Sequence, residues 1–135
     1  MQKGRKVADH SGALRGRRIL IVEDEYIVAF DLALSFEQIG AAVVGPVGSV
    51  ASALALLSEE TALDMAVLDI NLGREKVFLV ADALRARGLP FVFASGYDAS
   101  SIPGAYRDVP RFEKPIDINA LARELECQPA RDRDV

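Results

Sequence analysis

The sequence predicts an α/β fold in which helices cover both faces of a doubly wound, parallel five-stranded sheet. Two observations carry this prediction. Short apolar runs alternate five times with longer stretches of helical spacing, and this order implies βαβ crossovers. The first apolar run, residues 19–22, is continuous, β-branched and bounded by charge, which is typical of a strand buried on both faces.

Five strands are predicted along the chain. After residues 19–22 they cover residues 41–44, 65–68, 91–94 and 111–113. The second strand is expected to stop where Gly45-Pro46 breaks the run, and the third runs directly into Asp69.

Helical spacing is found in the segments between the strands and after the last one, over residues 26–39, 49–58, 75–87 and 117–126. The first helix is apolar apart from a narrow polar stripe, so its apolar surface is expected to serve mostly the core. In the third predicted segment the helical spacing is set by Phe78, Leu79, Ala83 and Leu84. Residues 96–110 contain two prolines and little periodicity, which predicts a short or irregular helix ahead of the closing one.

Composition limits the chain to one soluble domain. Of its 135 residues, 50% are hydrophobic and 27% are charged, and the formal net charge is −4. We expect residues 1–16 to form a disordered basic extension, residues 17–126 the domain, and residues 127–135 a flexible tail. The apolar runs are far shorter than the about 20 residues of a membrane span, so we expect a cytoplasmic protein without membrane contact.

Several kinds of chemistry are excluded by single residue types. Cys127 is the one cysteine, which rules out an internal disulfide and a zinc site built from cysteines. His10 is the one histidine and precedes the first strand, so the folded body has no imidazole for a catalytic triad. The excess acid of the body argues against a nucleic-acid partner.

Functional side chains follow the predicted strands at their carboxyl ends. Glu23-Asp24-Glu25 follows the first strand, Asp69 the third, Ser95 the fourth and Lys114-Pro115 the fifth. In parallel sheets these strand ends share one crevice. Crowded carboxylates repel one another unless a cation intervenes, and Mg²⁺ fits a site built from oxygen ligands.

These same residues carry a resemblance to a known family. Val22-Glu23-Asp24-Glu25, Leu68-Asp69-Ile70-Asn71-Leu72, Ala94-Ser95-Gly96 and Glu113-Lys114-Pro115 stand in order at the strand ends. With them the chain resembles the receiver domain of bacterial two-component response regulators. Through Asn71-Leu72-Gly73 and Phe93-Ala94-Ser95-Gly96-Tyr97 it is similar to the single-domain FAT GUY subgroup. The resemblance implies a flavodoxin/CheY-like fold with strand order 2-1-3-4-5.

The resemblance also implies a role for each matching residue. Asp69 would accept a phosphoryl group from a histidine kinase or a phosphotransfer protein, and Lys114 and Ser95 would contact that group. Asp24, Asp69 and the backbone carbonyl of Asn71 would hold Mg²⁺, with Glu23 acting through a water molecule. The bond before Pro115 would be cis, a form essentially confined to proline.

Two positions bear on how the domain would respond to phosphorylation. Arg111 stands where many receivers have an aromatic switch residue, so an aromatic switch is not implied at that position; Phe112, Tyr97 or Tyr106 are alternatives, as is a packing role for all three. Tyr97 lies two residues beyond Ser95, and we hypothesise that its ring shields the aspartyl phosphate from water.

The predicted function is that of a stand-alone response regulator. It would catalyse only its own phosphorylation and dephosphorylation and signal to a downstream protein, as a monomer or weak dimer. Residues of the first helix that flank the site could dock the phosphotransfer helices of a kinase. One alternative is a pseudo-receiver that binds without phosphorylation, although such proteins usually lack the acceptor Asp or the Lys, and both are present. The other is a phosphatase with an Asp nucleophile, which needs a second Asp where Asn71 stands.

Overall fold

A computed structural model describes residues 12–60, 62–96 and 102–128. Its five-stranded parallel sheet has the order β2-β1-β3-β6-β7. The strands are β1 (Arg18–Val22), β2 (Ala42–Val47), β3 (Met65–Asp69), β6 (Phe91–Ser95) and β7 (Arg111–Glu113). Between β3 and β6 lies a small antiparallel hairpin of β4 (Asn71–Leu72) and β5 (Glu75–Lys76). The predicted fold and the strand order implied by the resemblance are therefore confirmed.

In the described residues the sheet is flanked by the α-helices α1 (Tyr26–Gln38), α2 (Val50–Glu59), α3 (Phe78–Ala86) and α4 (Ile118–Cys127). All five residues of β3 and of β6 are buried, as expected for central strands covered on both faces. Side chains alternate between two apolar clusters, one with α2 and α3 and the other with α1 and α4. Leu20 belongs to the first cluster and Ile21 to the second.

The strand β2 extends beyond its predicted end. It continues through Gly45-Pro46, whose peptide bond is cis, to Val47. Gly45 has a φ of +90°, and a Cβ there would lie 3.2 Å from the carbonyl oxygen of Ile21 and 3.0 Å from Val47 N. Glycine therefore allows the irregular register by which β2 stays paired with β1.

The helix α3 begins later than predicted. Residues Glu75 and Lys76 pair with Leu72 and Asn71 in the hairpin, so the helix starts at Phe78. Its buried face is Val80, Ala81 and Leu84. Leu79, one of the apolar residues that set the predicted helical spacing, is 63% exposed and lies outside this buried face.

The first described residues belong to the folded domain, although the sequence suggested an extension up to residue 16. Leu14 is 1% exposed and belongs to the apolar cluster of α1 and α4. Gly16 N donates to the Gly40 carbonyl over 2.8 Å. The predicted disorder was therefore wrong for residues 12–16, because one apolar side chain among basic and glycine residues has a place in the core. Residues 1–11, with His10, and residues 129–135 lie outside the described part of the chain.

The part of the segment after β6 that the structure describes contains little regular structure, in agreement with the prediction. Within residues 102–110 the regular element is a three-residue 3-10 helix, Gly104–Tyr106. Tyr106 is buried and its hydroxyl donates to the carboxylate of Asp82 on α3. In the described ranges no helix has the length and apolar character needed to cross a membrane.

Candidate functional site

The sheet register brings the predicted site residues to one edge. Val22 pairs with Leu68, Asp69 with Ala94, and Ser95 with Glu113. The residues that follow β1 and β7 therefore lie beside Asp69 and Ser95. Lys114 N donates to the Ser95 carbonyl over 2.9 Å, which continues the ladder between β6 and β7 by one residue and fixes the backbone of Lys114.

Three carboxylates form the core of the site. Oxygens of Glu23, Asp24 and Asp69 lie within 4.8 Å of one another. Glu23 and Asp69 are each 3% exposed, whereas Asp24 is exposed. Asn71 N donates to Asp69 Oδ1 over 3.4 Å, which places the residue implied as a carbonyl ligand next to the cluster. Such a group of oxygen donors fits a hard divalent cation.

The ammonium of Lys114 contacts three carboxylates. Nζ donates to Glu25 Oε1 over 2.8 Å, to Glu23 Oε2 over 3.1 Å and to Asp69 Oδ2 over 3.2 Å. Burial by itself disfavours the charged amine. The hydrogen bonds to Glu25 and Glu23 and the negative charges of Asp69 and Glu23 outweigh burial, so the pKa of Lys114 is raised above its usual value. Lys114 is therefore a fixed positive charge.

The carboxyl of Asp69 has a perturbed proton affinity. Burial, followed by the negative charge of Glu23 and a hydrogen bond with it, raises the pKa of Asp69 to about 7, and Lys114 opposes this rise. A carboxyl held next to a like charge in a buried position is typical of functional sites. A divalent cation at the cluster would favour the ionised form of Asp69.

Ser95 lies at the end of β6 with an unused hydroxyl. The residue is fully buried, and its Oγ has no hydrogen-bond partner within residues 12–60, 62–96 and 102–128. A buried polar group without a partner calls for an explanation. A ligand with acceptor oxygens, such as a phosphoryl group on Asp69, would satisfy it.

The remaining predicted residues either lie around the site or fall outside the described part of the chain. The Lys114–Pro115 peptide bond is cis, as the resemblance implied. Arg111 is exposed on β7 and pairs with Phe93, and Phe112 packs against the α1 and α4 cluster. The Tyr106 ring stacks on Phe78 and meets Phe91 and Phe93 edge to face. Tyr97 lies outside the described residues, so its proposed shielding role stays a prediction.

The sequence indicates no role for Glu25, yet its contact with Lys114 is the shortest that this ammonium makes among the described residues. The apolar breadth of α1 is predicted to serve mostly the core, with residues flanking the site able to dock a kinase. Tyr26 is 83%, Ile27 76% and Phe30 58% exposed, so more of this surface lies outside the core than predicted. In the sequence, the narrow polar stripe of this helix indicates that apolar residues also occupy surface that does not face the core.

A cleft lies between this surface of α1 and the acidic cluster. Its volume is about 380 Å³. It is lined by Glu23, Asp24, Tyr26, Phe30, Pro46 and Val47, among others. The cleft therefore joins an apolar surface to the carboxylates of the site.

A doubly wound sheet whose strand ends place a buried aspartate beside clustered acids, a hydroxyl and a lysine has the arrangement that the resemblance to receiver domains implies. The solution structure of SdrG from Sphingomonas melonis Fr1 is 43% identical to this chain, with a TM-score of 0.73, and the match covers 84% of this chain and 94% of SdrG. The chain belongs to the response regulator receiver family of two-component signalling.

Other relatives agree with this assignment. A BeF3-activated conformation of SdrG, from Pseudomonas melonis Fr1, matches with 43% identity and a TM-score of 0.66, over 80% of this chain and 92% of that one. A CheY-like receiver domain from Methylobacillus flagellatus is 28% identical, with a TM-score of 0.70, over 82% of this chain and 97% of its own.

The curated relative is longer than the matched region. The transcriptional regulatory protein PdtaR of Mycobacterium tuberculosis is 26% identical over an alignment of 123 residues, and the match covers 88% of this chain and 60% of PdtaR. The chain thus matches a little over half of that relative's length. No family model matches the sequence.

Proposed function

We propose that Asp69 accepts a phosphoryl group from a phosphohistidine of a sensor histidine kinase or a phosphotransfer protein. One observation carries the proposal: the carboxylate of Asp69 ends the central strand β3, buried, with Lys114 Nζ 3.2 Å from Oδ2 and two further carboxylates within 4.8 Å. The arrangement supplies a nucleophile, a positive charge and ligands for a divalent cation in one crevice.

The proposed reaction is an in-line phosphoryl transfer. An oxygen of Asp69 forms the new bond to phosphorus as the bond from phosphorus to the imidazole nitrogen breaks, and the electron pair of that bond stays on the nitrogen. Asp24, Asp69 and the Asn71 carbonyl would hold Mg²⁺, with Glu23 acting through a water molecule. Bound there, Mg²⁺ supplies positive charge for the transferred group. Lys114 offsets the charge that collects on the phosphoryl oxygens.

The same residues provide a response to phosphorylation. The phosphoryl group adds about 1.5–2 negative charges and three acceptor oxygens. The hydroxyl of Ser95 would donate to one of these oxygens, and the backbone after Ser95 would move with it. A BeF3-activated conformation of the relative SdrG is known, which supports a conformational response to a phosphoryl group or its analogue.

The apolar surface of α1 is the proposed docking surface for the phosphodonor. Tyr26 and Phe30 line the cleft beside the acidic cluster, and Ile27 is exposed on the same helix. Amphipathic helices of a partner can bury such a surface. A partner bound there would deliver its phosphohistidine to Asp69. We propose that the output is contact with a downstream protein, in the cytoplasm, without turnover of another substrate.

The decisive experiment is phosphorylation by a small donor. With Mg²⁺ and acetyl phosphate, the intact mass should rise by one phosphoryl group, and the Asp69→Asn variant should show no increase. The Asp31→Asn variant removes an exposed carboxylate from α1 and should label like the wild type. Absence of an adduct on the wild-type protein would favour the phosphorylation-independent pseudo-receiver.

A further inference from the structure

The side chain of Glu25 makes an unexpected contact. Its Oε1 lies 2.8 Å from Lys114 Nζ, closer than the oxygens of Asp69 or Glu23. Its side chain is 61% exposed, whereas those of Glu23 and Asp69 are 1% and 4% exposed. Lys114 is therefore held from the solvent side by a carboxylate outside the buried cluster.

The contact with Lys114 takes the place of the helix-capping hydrogen bond that an N-cap side chain often makes. Glu25 is the N-cap residue of α1, yet among the residues that the structure describes its side chain makes no cap hydrogen bond. Ser49 and Asp117, at the corresponding positions of α2 and α4, each accept hydrogen bonds from the following backbone N–H groups. The Glu25 carboxylate is directed instead across the crevice to Lys114.

The three carboxylates use the donors of one ammonium. A lysine ammonium has three N–H groups, and Lys114 contacts Glu23, Glu25 and Asp69. A phosphoryl group on Asp69 needs at least one of these donors. Glu23 and Asp69 are buried and can exchange Lys114 for water only at a high cost, whereas the exposed Glu25 can turn into solvent.

We propose that Glu25 is a positioning residue that holds Lys114 in the unphosphorylated site and competes with the phosphoryl group for its ammonium. The inference rests on the proposed phosphoacceptor function. Two effects follow from it. Glu25 keeps Lys114 ordered before transfer, and it lowers the affinity of the site for a phosphoryl group or its analogue.

The test measures the binding of beryllofluoride, with Mg²⁺ present, by titration calorimetry. An exposed ion pair contributes up to about 1 kcal/mol, so Glu25→Gln should bind the analogue roughly threefold to fivefold more tightly than the wild type. The matched control is Glu37→Gln, which removes an exposed carboxylate near the far end of α1 and should leave the affinity unchanged. Thermal unfolding of each variant checks the fold.

Two further measurements separate competition from a structural effect. The difference between Glu25→Gln and the wild type should shrink at about 1 M salt, where the Debye length is about 3 Å. It should also vanish when Lys114 is replaced by Ala in both proteins, because the pair then no longer exists. A gain that survives in either case would overturn the proposal.

The outcomes also distinguish the two levels of inference. If the wild type neither binds beryllofluoride nor accepts a phosphoryl group, the proposed function fails and the role of Glu25 fails with it. If the wild type does both and Glu25→Gln has wild-type affinity, the role of Glu25 alone is refuted. A gain of equal size in Glu37→Gln would likewise refute it, since general charge would then be the cause.

Discussion

The buried hydroxyl of Tyr106 should make the protein sensitive to alkaline pH. Tyr106 is 5% exposed and donates to Asp82. Burial, with the hydrogen bond and the charge of Asp82, raises the pKa of Tyr106 from 10.0 to about 12. The neutral phenol therefore contributes to stability fully below about pH 10, and this contribution is lost as the pH rises through 12.

The size of the loss follows from the shift. A difference of one pKa unit corresponds to about 1.4 kcal/mol, so a shift from 10.0 to about 12 sets a ceiling of about 2.7 kcal/mol for the loss. Urea unfolding followed by circular dichroism at several pH values measures it. The Tyr106→Phe variant should be less stable near neutral pH and should lack this part of the alkaline decline.

The pH dependence of stability is compared between the wild type and Tyr106→Phe. The free energies of unfolding of wild type and Tyr106→Phe should converge between about pH 10 and 12. Parallel curves over that range would refute the reasoning, because they would mean that the phenol titrates alike in the folded and unfolded chain. Other groups that titrate there affect both proteins equally.

Three further predictions concern the core, the switch and the partner surface. Leu14→Ala should lower the free energy of unfolding by about 2–4 kcal/mol; urea unfolding measures this, and a change near zero would contradict the packing of residues 12–16. Ser95→Ala should be as stable as the wild type, because the hydroxyl has no partner in the described structure. Phosphorylation should no longer change the amide NMR spectrum of this variant, and a wild-type response would exclude Ser95 from the switch. Phe30→Ser should slow labelling by a phosphorylated kinase at least tenfold, while acetyl phosphate should label this variant normally. The control is Leu79→Ser, at a similarly exposed site on α3. Equal slowing in both variants would exclude α1 as the docking surface.

The sheet and most of the site could be predicted because local sequence determines them. Continuous apolar runs mark the central strands, and the residue after each strand lies at the same edge whatever the helices do. Asp69 and Ser95 needed no tertiary information, and neither did Lys114. Their side chains are fixed by the register of β3, β6 and β7.

The features that were missed depend on pairing and burial that helical spacing and composition do not reveal. Glu75 has helical spacing in the sequence but pairs with the nearby Leu72 in a hairpin, and such strand pairing overrides the intrinsic preference of a residue. Leu14 is a lone apolar residue whose burial depends on the cluster of α1 and α4. Glu25 and Lys114 are separated by 89 positions, so their ion pair follows only from the closed fold.

The site is built from residues at a buried central strand and at an exposed edge strand of the sheet. Asp69 ends β3, which is buried throughout between two neighbouring strands. Lys114 follows β7, a three-residue edge strand with two exposed residues. Local opening reaches edges long before it reaches central strands. Asp69 should therefore keep its place during fluctuations that move the Lys114 ammonium away. The fraction of molecules with both groups in place would then follow the opening and closing of β7.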